Sequence, residues 1–301
     1  MPRRKIPILV LPLLALFLLG GTHAQTLNVV ATSSSMGALV REVGADHTRL
    51  TVLAPPDRDI HHLQARPSMI RDLRRADLVV AIGAELETGW LPVALRQAAN
   101  PAILPGRRGY FEAAAQVPLD GAGASADRAH GDVHPTGNPH VNMDPLRMAD
   151  IAQALAERLA ELTPNHTEEF RQRAAAFIRE INQHLPGWKA AVADAPGALL
   201  YHRDADYLFA RLGVPILGYI EPVPGVPPTA RHIRKLSERL SDRDGMVIHA
   251  PYYSSRAPEK LAQTLGWKRV SLTTEPPLEA DGKGYLAHIE RWVVALAANR
   301  P

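Results

Sequence analysis

The chain of 301 residues carries 13 histidines and no cysteine, so a metal held by its side chains must be held by imidazole and carboxylate. Neutral imidazole is the commonest protein metal ligand. Three histidines, His130, His134 and His140, fall within eleven residues around Gly131-Asp132-Val133-His134-Pro135-Thr136-Gly137-Asn138-Pro139-His140. His61 and His62 close a turn-rich stretch, Pro55-Pro56-Asp57-Arg58-Asp59, and His202 ends an apolar run, Ala198-Leu199-Leu200-Tyr201. Neutral imidazoles joined by one carboxylate in tetrahedral geometry make a zinc-type site. The plainer reading of a histidine is a surface residue, and His47, His166, His184, His232 and His288, on helices or turns with polar neighbours, are expected at the surface.

In open α/β sheets ligands bind beyond the carboxyl ends of the strands, so the elements around these histidines decide whether they can meet. Leu27–Ala31 reads as a buried strand, Thr32 to Ser35 as a cap and Met36–Val43 as a helix; Thr48–Leu53 alternates as a second strand. Pro67–Arg75 is a helix, Leu78–Gly83 a continuous apolar strand and Glu85–Ala98 another helix. Residues 105–127 lack periodicity and are expected as a surface excursion. Met148, Ile151, Leu155 and Leu159 then recur at helical spacing, Thr163-Pro164-Asn165 interrupts, and a second helix runs from His166 to Leu185 and past Pro186. The alternation resumes with strands at Ala198–Tyr201, Val214–Ile220, Met246–His249 and Arg269–Leu272, and helices at Asp204–Leu212, Thr229–Leu240, Arg256–Leu265 and Tyr285–Ala298. The expected fold class is α/β with two lobes, each a mostly parallel sheet flanked by helices, joined by a long connecting helix. The lobes span 25–145 and 196–301, with the connector at 146–195. His61, His62, His140 and His202 then all stand in loops at strand ends and can converge on one cleft.

Residues 1–24 read as a secretory signal: Arg3, Arg4 and Lys5 precede the apolar Ile8–Leu19, and Thr22 and Ala24 fit a cleavage site. The apolar run is short of the roughly 20 residues a spanning helix needs. The absence of cysteine excludes a lipidated N-terminal Cys and any disulfide framework, and suits an exported protein of a bacterial periplasm. The formal charge of +3 belongs to the leader: without its three bases, Lys+Arg falls from 34 to 31 against 31 Asp+Glu. With no basic stripe interleaved with aromatics, a nucleic-acid partner is excluded.

Asp59-Ile60-His61, Pro67-Ser68, Ala76-Asp77-Leu78-Val79-Val80 and Gly83-Ala84-Glu85-Leu86-Glu87 together resemble the first lobe of the zinc/manganese solute-binding proteins of ABC transporters (cluster A-I, zinc-binding branch). Asn138-Pro139-His140 with Asp144-Pro145 resembles that family's second ligand loop. Tyr201-His202-Arg203-Asp204-Ala205, Tyr207-Leu208 and Leu212-Gly213-Val214 resemble its third, and Glu221-Pro222 with Pro224-Gly225-Val226-Pro227-Pro228 continues the match. The resemblance covers nearly all of residues 27–298. It implies two lobes joined by a long helix, a metal between them, and His61, His140 and His202 as ligands, with His61 favoured over the adjacent His62. A histidine at the third position is similar to the zinc branch, since imidazole-rich sites suit Zn²⁺ and oxygen-rich ones Mn²⁺. The family's fourth ligand, an Asp near the start of the last helix, is assigned to Asp281, with Glu279, His249 or water behind it. His130 and His134 are assigned to a shortened accessory loop that captures metal and passes it on. The resemblance further implies a monomeric periplasmic protein, not an enzyme, that delivers Zn²⁺ to an inner-membrane ABC permease, with a periplasmic metallochaperone as a further partner. The alternatives are a Mn²⁺ or Fe²⁺ binder of the same family and, from another class, a secreted zinc hydrolase; against the latter, no His-Glu-x-x-His helix is present.

Overall fold

A computed structural model describes residues 26–121 and 134–299, so the leader and His130 lie outside it. Two four-stranded sheets, each wholly parallel, organise the chain. The first runs in the order β2-β1-β3-β4, from β1 (Leu27–Ala31), β2 (Thr48–Val52), β3 (Leu78–Ala81) and β4 (Tyr110–Glu112). The second runs β6-β5-β7-β8, from β5 (Ala198–Leu200), β6 (Ile216–Tyr219), β7 (Met246–His249) and β8 (Lys268–Ser271). The two-lobed α/β expectation is met, and both sheets share one strand order. Parallel neighbours need long crossovers, and helices supply them: α1 (Ser34–Gly44), α2 (Pro67–Arg74) and α3 (Leu91–Ala98) in the first lobe, α6 (Asp206–Leu212), α7 (Ala230–Leu240) and α8 (Arg256–Leu265) in the second. Between the lobes stand α4 (Pro145–Leu162) and the 25-residue α5 (Thr167–Ala191), packed on each other; α9 (Gly282–Ala297) returns at the end to pack on α1 and α5. No described helix is long and apolar enough to cross a membrane.

Two elements differ from the sequence reading. The excursion at 105–127 contains β4, a three-residue strand that buries only Phe111 and so has too little alternation to be read. The helix expected from Glu85 starts at Leu91, with Pro92 in its first turn. The preceding residues are turns, with Ala84 and Glu85 at positive φ of 46° and 67°. The Glu87 carboxylate causes the delay: it accepts from the Ile82 and Gly83 amides at 2.8 and 3.0 Å and from the Thr32 hydroxyl at 2.7 Å. These amides would otherwise be orphaned where β3 ends.

The caps set where the strand-end loops begin. Ser33 accepts from the Met36 amide and starts α1, Asp144 accepts from Leu146 and starts α4, and Thr229 accepts from His232 and starts α7. Asp144 is fully buried and also receives Arg147 at 2.6 Å and both Arg211 nitrogens at 2.9 and 2.8 Å. That network ties the start of α4 to α6 of the second lobe.

Candidate metal centre

Each sequence-derived histidine ligand is delivered by a short, pinned loop. His61 lies in a single 3₁₀ turn, Ile60–His62, after β2, which Asp59 caps by accepting from the His61 amide at 3.0 Å. The same Oδ1 stands 2.8 Å from His61 Nδ1. A carboxylate is an acceptor, so Nδ1 carries the proton and the Nε2 lone pair is left for a ligand. The Trp90 indole donates to the Ile60 carbonyl at 2.9 Å and holds the turn down. Gly89 lets that segment approach, because a Cβ there would stand 2.9 Å from the His61 carbonyl.

His140 follows Asn138, whose Oδ1 accepts the His140 amide at 3.0 Å and whose Nδ2 donates to the Arg203 carbonyl at 3.0 Å. The Tyr207 hydroxyl donates to the Asn138 carbonyl at 2.7 Å. The loop is therefore held from the second lobe, one residue away from His202. His202 sits where β5 ends, with Nδ1 2.8 Å from Glu221 Oε2, and Glu221 is itself fixed by the Gly225 amide at 3.1 Å. Glu221 thus does for His202 what Asp59 does for His61.

These three rings meet. Their centroids lie 5.2 Å apart for His61 and His140, 5.5 Å for His61 and His202 and 5.4 Å for His140 and His202. Around one tetrahedral ion with metal–nitrogen bonds of 2.0–2.1 Å, imidazole centroids fall about 5.2 Å apart. All three residues are buried. His140 Nε2 is buried without a hydrogen-bond partner, the state of a nitrogen whose lone pair faces the cluster. Burial, together with the neighbouring histidines, pushes His140 well below the ordinary imidazole pKa, so it is neutral at neutral pH. Burial also opposes protonation of His202, but the Glu221 hydrogen bond and the Asp204 charge outweigh it and the net direction is upward. For Asp59 burial acts upward, and the His61 contacts outweigh it and hold the carboxyl below its usual range.

The fourth position is corrected. Asp281 is exposed and accepts from the Gly284 amide at 2.9 Å as the N-cap of α9, and it joins no ligand cluster among the described residues. The adjacent Gly282 docks on Glu42, near the end of α1 remote from the cleft. Glu279 is exposed and paired with Arg41 at 3.2 Å. His249 has the Ala250 carbonyl on Nδ1 at 3.0 Å and the Arg269 guanidinium on Nε2 at 2.9 Å, so both nitrogens are used. His62 points outward, its side chain 65% exposed. The group that does reach the cluster is His134, with Nε2 3.3 Å from His61 Nε2 and its ring 5.4 Å from His61 and 6.2 Å from His140. Nitrogens of His61, His134 and His140 all lie within 4.8 Å of one another; His202 is outside that group and meets it through its ring contacts with His61 and His140. The residue assigned to an accessory loop thus stands beside His61 and His140. His288, expected at the surface, is also corrected: it is buried on α9, and burial takes its pKa down to about 3.

Glu275 escaped the sequence reading. It lines the same small cavity as His61, His140, Asn142 and Tyr252. Its buried carboxylate accepts from the Ser35 amide at 2.6 Å, the Ser35 and Ser34 hydroxyls at 3.0 and 3.2 Å, and Asn142 Nδ2 at 3.0 Å. It therefore sits on the N-terminus of α1, where orphan amides and the helix dipole favour an acceptor, and ties the loop after β8 to the first lobe and to the turn after His140. The only sequence trace of this role is the run Ser33-Ser34-Ser35, three hydroxyl residues that are all buried.

Comparison with known proteins follows the same lines. The family described as zinc-uptake complex component A, periplasmic (ZnuA), matches residues 29–299. The zinc-binding lipoprotein AdcA of Streptococcus pneumoniae strain R6 is 22% identical over 321 residues, which take in 97% of this chain and 60% of that protein. The chain thus spans about three fifths of the length of this relative. The high-affinity zinc uptake system protein ZnuA of Yersinia pestis is 23% identical over 261 residues, 78% of this chain and 79% of that one. A crystal structure of ZnuA superposes with a TM-score of 0.76 at 19% identity, covering 91% of this chain and 99% of that chain, a likeness of fold.

Proposed function

The chain belongs to the zinc-uptake complex component A family, and on that premise we propose that it captures Zn²⁺ between its lobes and hands it to an ABC importer of the inner membrane. His61, His134, His140 and His202 are the proposed ligands, each through a neutral imidazole. The observation that carries the reading is the triangle of His61, His140 and His202, with centroids 5.2–5.5 Å apart, drawn from both lobes. The relatives named as zinc-binding or zinc-uptake proteins support the choice of cargo. An all-nitrogen donor set favours Zn²⁺ over Mn²⁺, which prefers carboxylate and water. Four imidazoles also fill a tetrahedral shell, whereas a hydrolytic zinc keeps one position open for water; this supports a carrier over a secreted hydrolase. Residues 1–24 carry the export signal of a periplasmic protein.

Capture and release follow from where the ligands stand. His61, His134 and His140 belong to the first lobe and the loop leading into α4, and His202 to the second lobe. An ion bound to all four ties the lobes together, and a partner that draws His202 away weakens the site without touching the other three. The permease is proposed to act on the cleft in this way. Binding needs every imidazole deprotonated, and the pKa of His202 is raised, so uptake releases protons and affinity falls as pH drops. Titration of the metal-free protein with Zn²⁺ against a chelating indicator tests the reading. One tight equivalent is expected, resistant to equimolar Mn²⁺. Displacement by equimolar Mn²⁺ overturns the zinc assignment, and chelator-sensitive hydrolysis by clean protein overturns the carrier.

A further inference from the structure

A second group of metal-ligating side chains stands away from the cleft. His47, His166 and Glu169 offer ligand atoms that all lie within 4.8 Å of one another. His47 closes the short 3₁₀ turn between α1 and β2; His166 ends the turn between α4 and α5; Glu169 is in the first turn of α5. Because His47 precedes β2 and His61 follows it, the two clusters lie at opposite ends of the sheet, separated by a strand of five residues, about 17 Å. From sequence alone His47 and His166 are expected among ordinary surface histidines.

The local geometry is more than adjacency. His47 Nε2 is 2.8 Å from Glu169 Oε2, and the His47 ring stacks on His166 with centroids 3.7 Å apart. Phe170 meets both rings edge-on, at 5.6 and 6.2 Å, and backs them with apolar surface. His47 is the least exposed of the ion pair, its side chain 17% accessible against 46% for Glu169.

We propose that His47, His166 and Glu169 form an ancillary divalent transition-metal site, of the Zn²⁺ or Ni²⁺ class, that clips the α1–β2 turn to the α4–α5 junction. The cation takes the place of the proton between His47 Nε2 and Glu169 Oε2. Ligand atoms on one tetrahedral ion lie about 3.4 Å apart, so that pair already stands close enough. His166 completes the set by turning out of its stack on His47. Two nitrogens and one carboxylate oxygen leave a coordination position for water, and Arg173 Nε stands 3.5 Å from the other Glu169 oxygen and competes for it. The site is therefore weaker than the cleft, and it fills after it. It does not depend on the cleft being a zinc-capture site.

The test is equilibrium titration of the whole exported protein, stripped of metal, with zinc sulfate, read by calorimetry. The wild-type chain is expected to take one tight and one weaker equivalent. His166→Gln and Glu169→Gln, both at partly exposed positions, should lose the weaker equivalent and keep the tight one, which also reports that they are folded. His61→Ala should do the reverse. A wild-type protein that takes the tight equivalent alone, or a weaker equivalent that persists in both His166→Gln and Glu169→Gln, overturns the proposal. Loss of the tight equivalent from the wild-type protein would instead overturn the zinc-capture reading and leave this one standing.

Discussion

The two lobes share a strand order but not a core. In the first, β3 is buried along its whole length, and its apolar side chains merge with those of α1, α4, α5 and α9 into one continuous cluster. In the second, successive residues of a strand face opposite ways: Ala198 and Leu200 of β5, and Met246 and Ile248 of β7, join the large cluster, while Leu199 and Val247 look outward. There they meet Leu236 and Leu240 of α7 and Leu261 of α8 in a separate, smaller cluster. Three of the four proposed ligands stand on the side anchored to the large core. The fourth, His202, ends the strand that divides the two clusters. The difference marks the outer layer of the second lobe as the part of the molecule able to yield locally, and His202 as the ligand through which yielding reaches the metal.

The sharpest way to break that contrast is to cut each core. Phe177 of α5 is fully buried and meets Tyr285 of α9 edge-on at 5.9 Å. Phe177→Ala should cost about 3–5 kcal/mol of global stability in urea unfolding. Leu261→Ala should cost about 2 kcal/mol and, in hydrogen exchange, loosen α7 and α8 while β1 and β3 keep their protection. Uniform loosening by both variants would mean one cooperative unit and end the distinction.

Removing ligands comes next in size. Structural zinc binding of about 10–16 kcal/mol shared by four ligands makes each worth on the order of 3 kcal/mol, a hundredfold in affinity. His61→Ala and His140→Ala should each show at least that loss by indicator competition. His202→Ala should show a similar loss and one effect the others lack: zinc should no longer protect the amides around β5 from exchange.

Glu275 joins the lobes without touching the proposed ligands, and its effect has a definite pH sign. Burial raises its pKa to about 7 from an ordinary value near 4.5. A carboxyl raised in the folded state contributes its full stability below about pH 4.5, and that contribution is lost as pH climbs through about 7, on the order of 3 kcal/mol in all. Subtracting the pH–stability curve of Glu275→Gln from that of the wild-type protein should isolate a fall across that window. A flat difference would show the carboxylate to be fully compensated by its Ser34, Ser35 and Asn142 donors.

The carboxylates behind the histidines compare the lobes at smaller scale. Asp59→Asn and Glu221→Gln replace the charged acceptors that orient His61 and His202 with neutral, weaker ones, and outer-shell changes of this kind cost about 10- to 100-fold in metal affinity. Both should weaken zinc binding by that factor. Glu221→Gln should weaken it more, because His202 stands on the less anchored side of the cleft.

How much of this could be read from residues alone depended on how local the cause was. The strands Leu78–Ala81 and Met246–His249, the cap at Ser33 and the proline-started α4 are written in short stretches and were legible. Topology placed four histidines, His61, His62, His140 and His202, at strand ends, and the family resemblance narrowed them to three. β4 was not, because three residues hold too little pattern, and neither was the late start of α3, which the Glu87 carboxylate imposes on the strand-end amides. Glu275 has no local signature at all, since its donors come from residues more than a hundred positions away. His134 could not be placed for the opposite reason: it sits among small polar residues that read as a solvated loop, and only the fold turns it onto His61.

Asp281 gives the smallest expected effect and the cleanest check on that correction. A carboxylate just before the last helix satisfies two different demands equally well in sequence, a metal ligand and a helix N-cap. The structure separates them by where α9 docks. Gly282 bonds Glu42, seven residues along α1 from Ser35, where Glu275 sits, and seven helical residues are about 10 Å. Asp281 therefore belongs to the far end of α1. Asp281→Ala should lower stability by about 1 kcal/mol through the lost cap, and Asp281→Asn, an equally good cap, by almost nothing. Neither should change zinc affinity, in contrast to Glu221→Gln. A tenfold weakening by Asp281→Asn would return this residue to the metal.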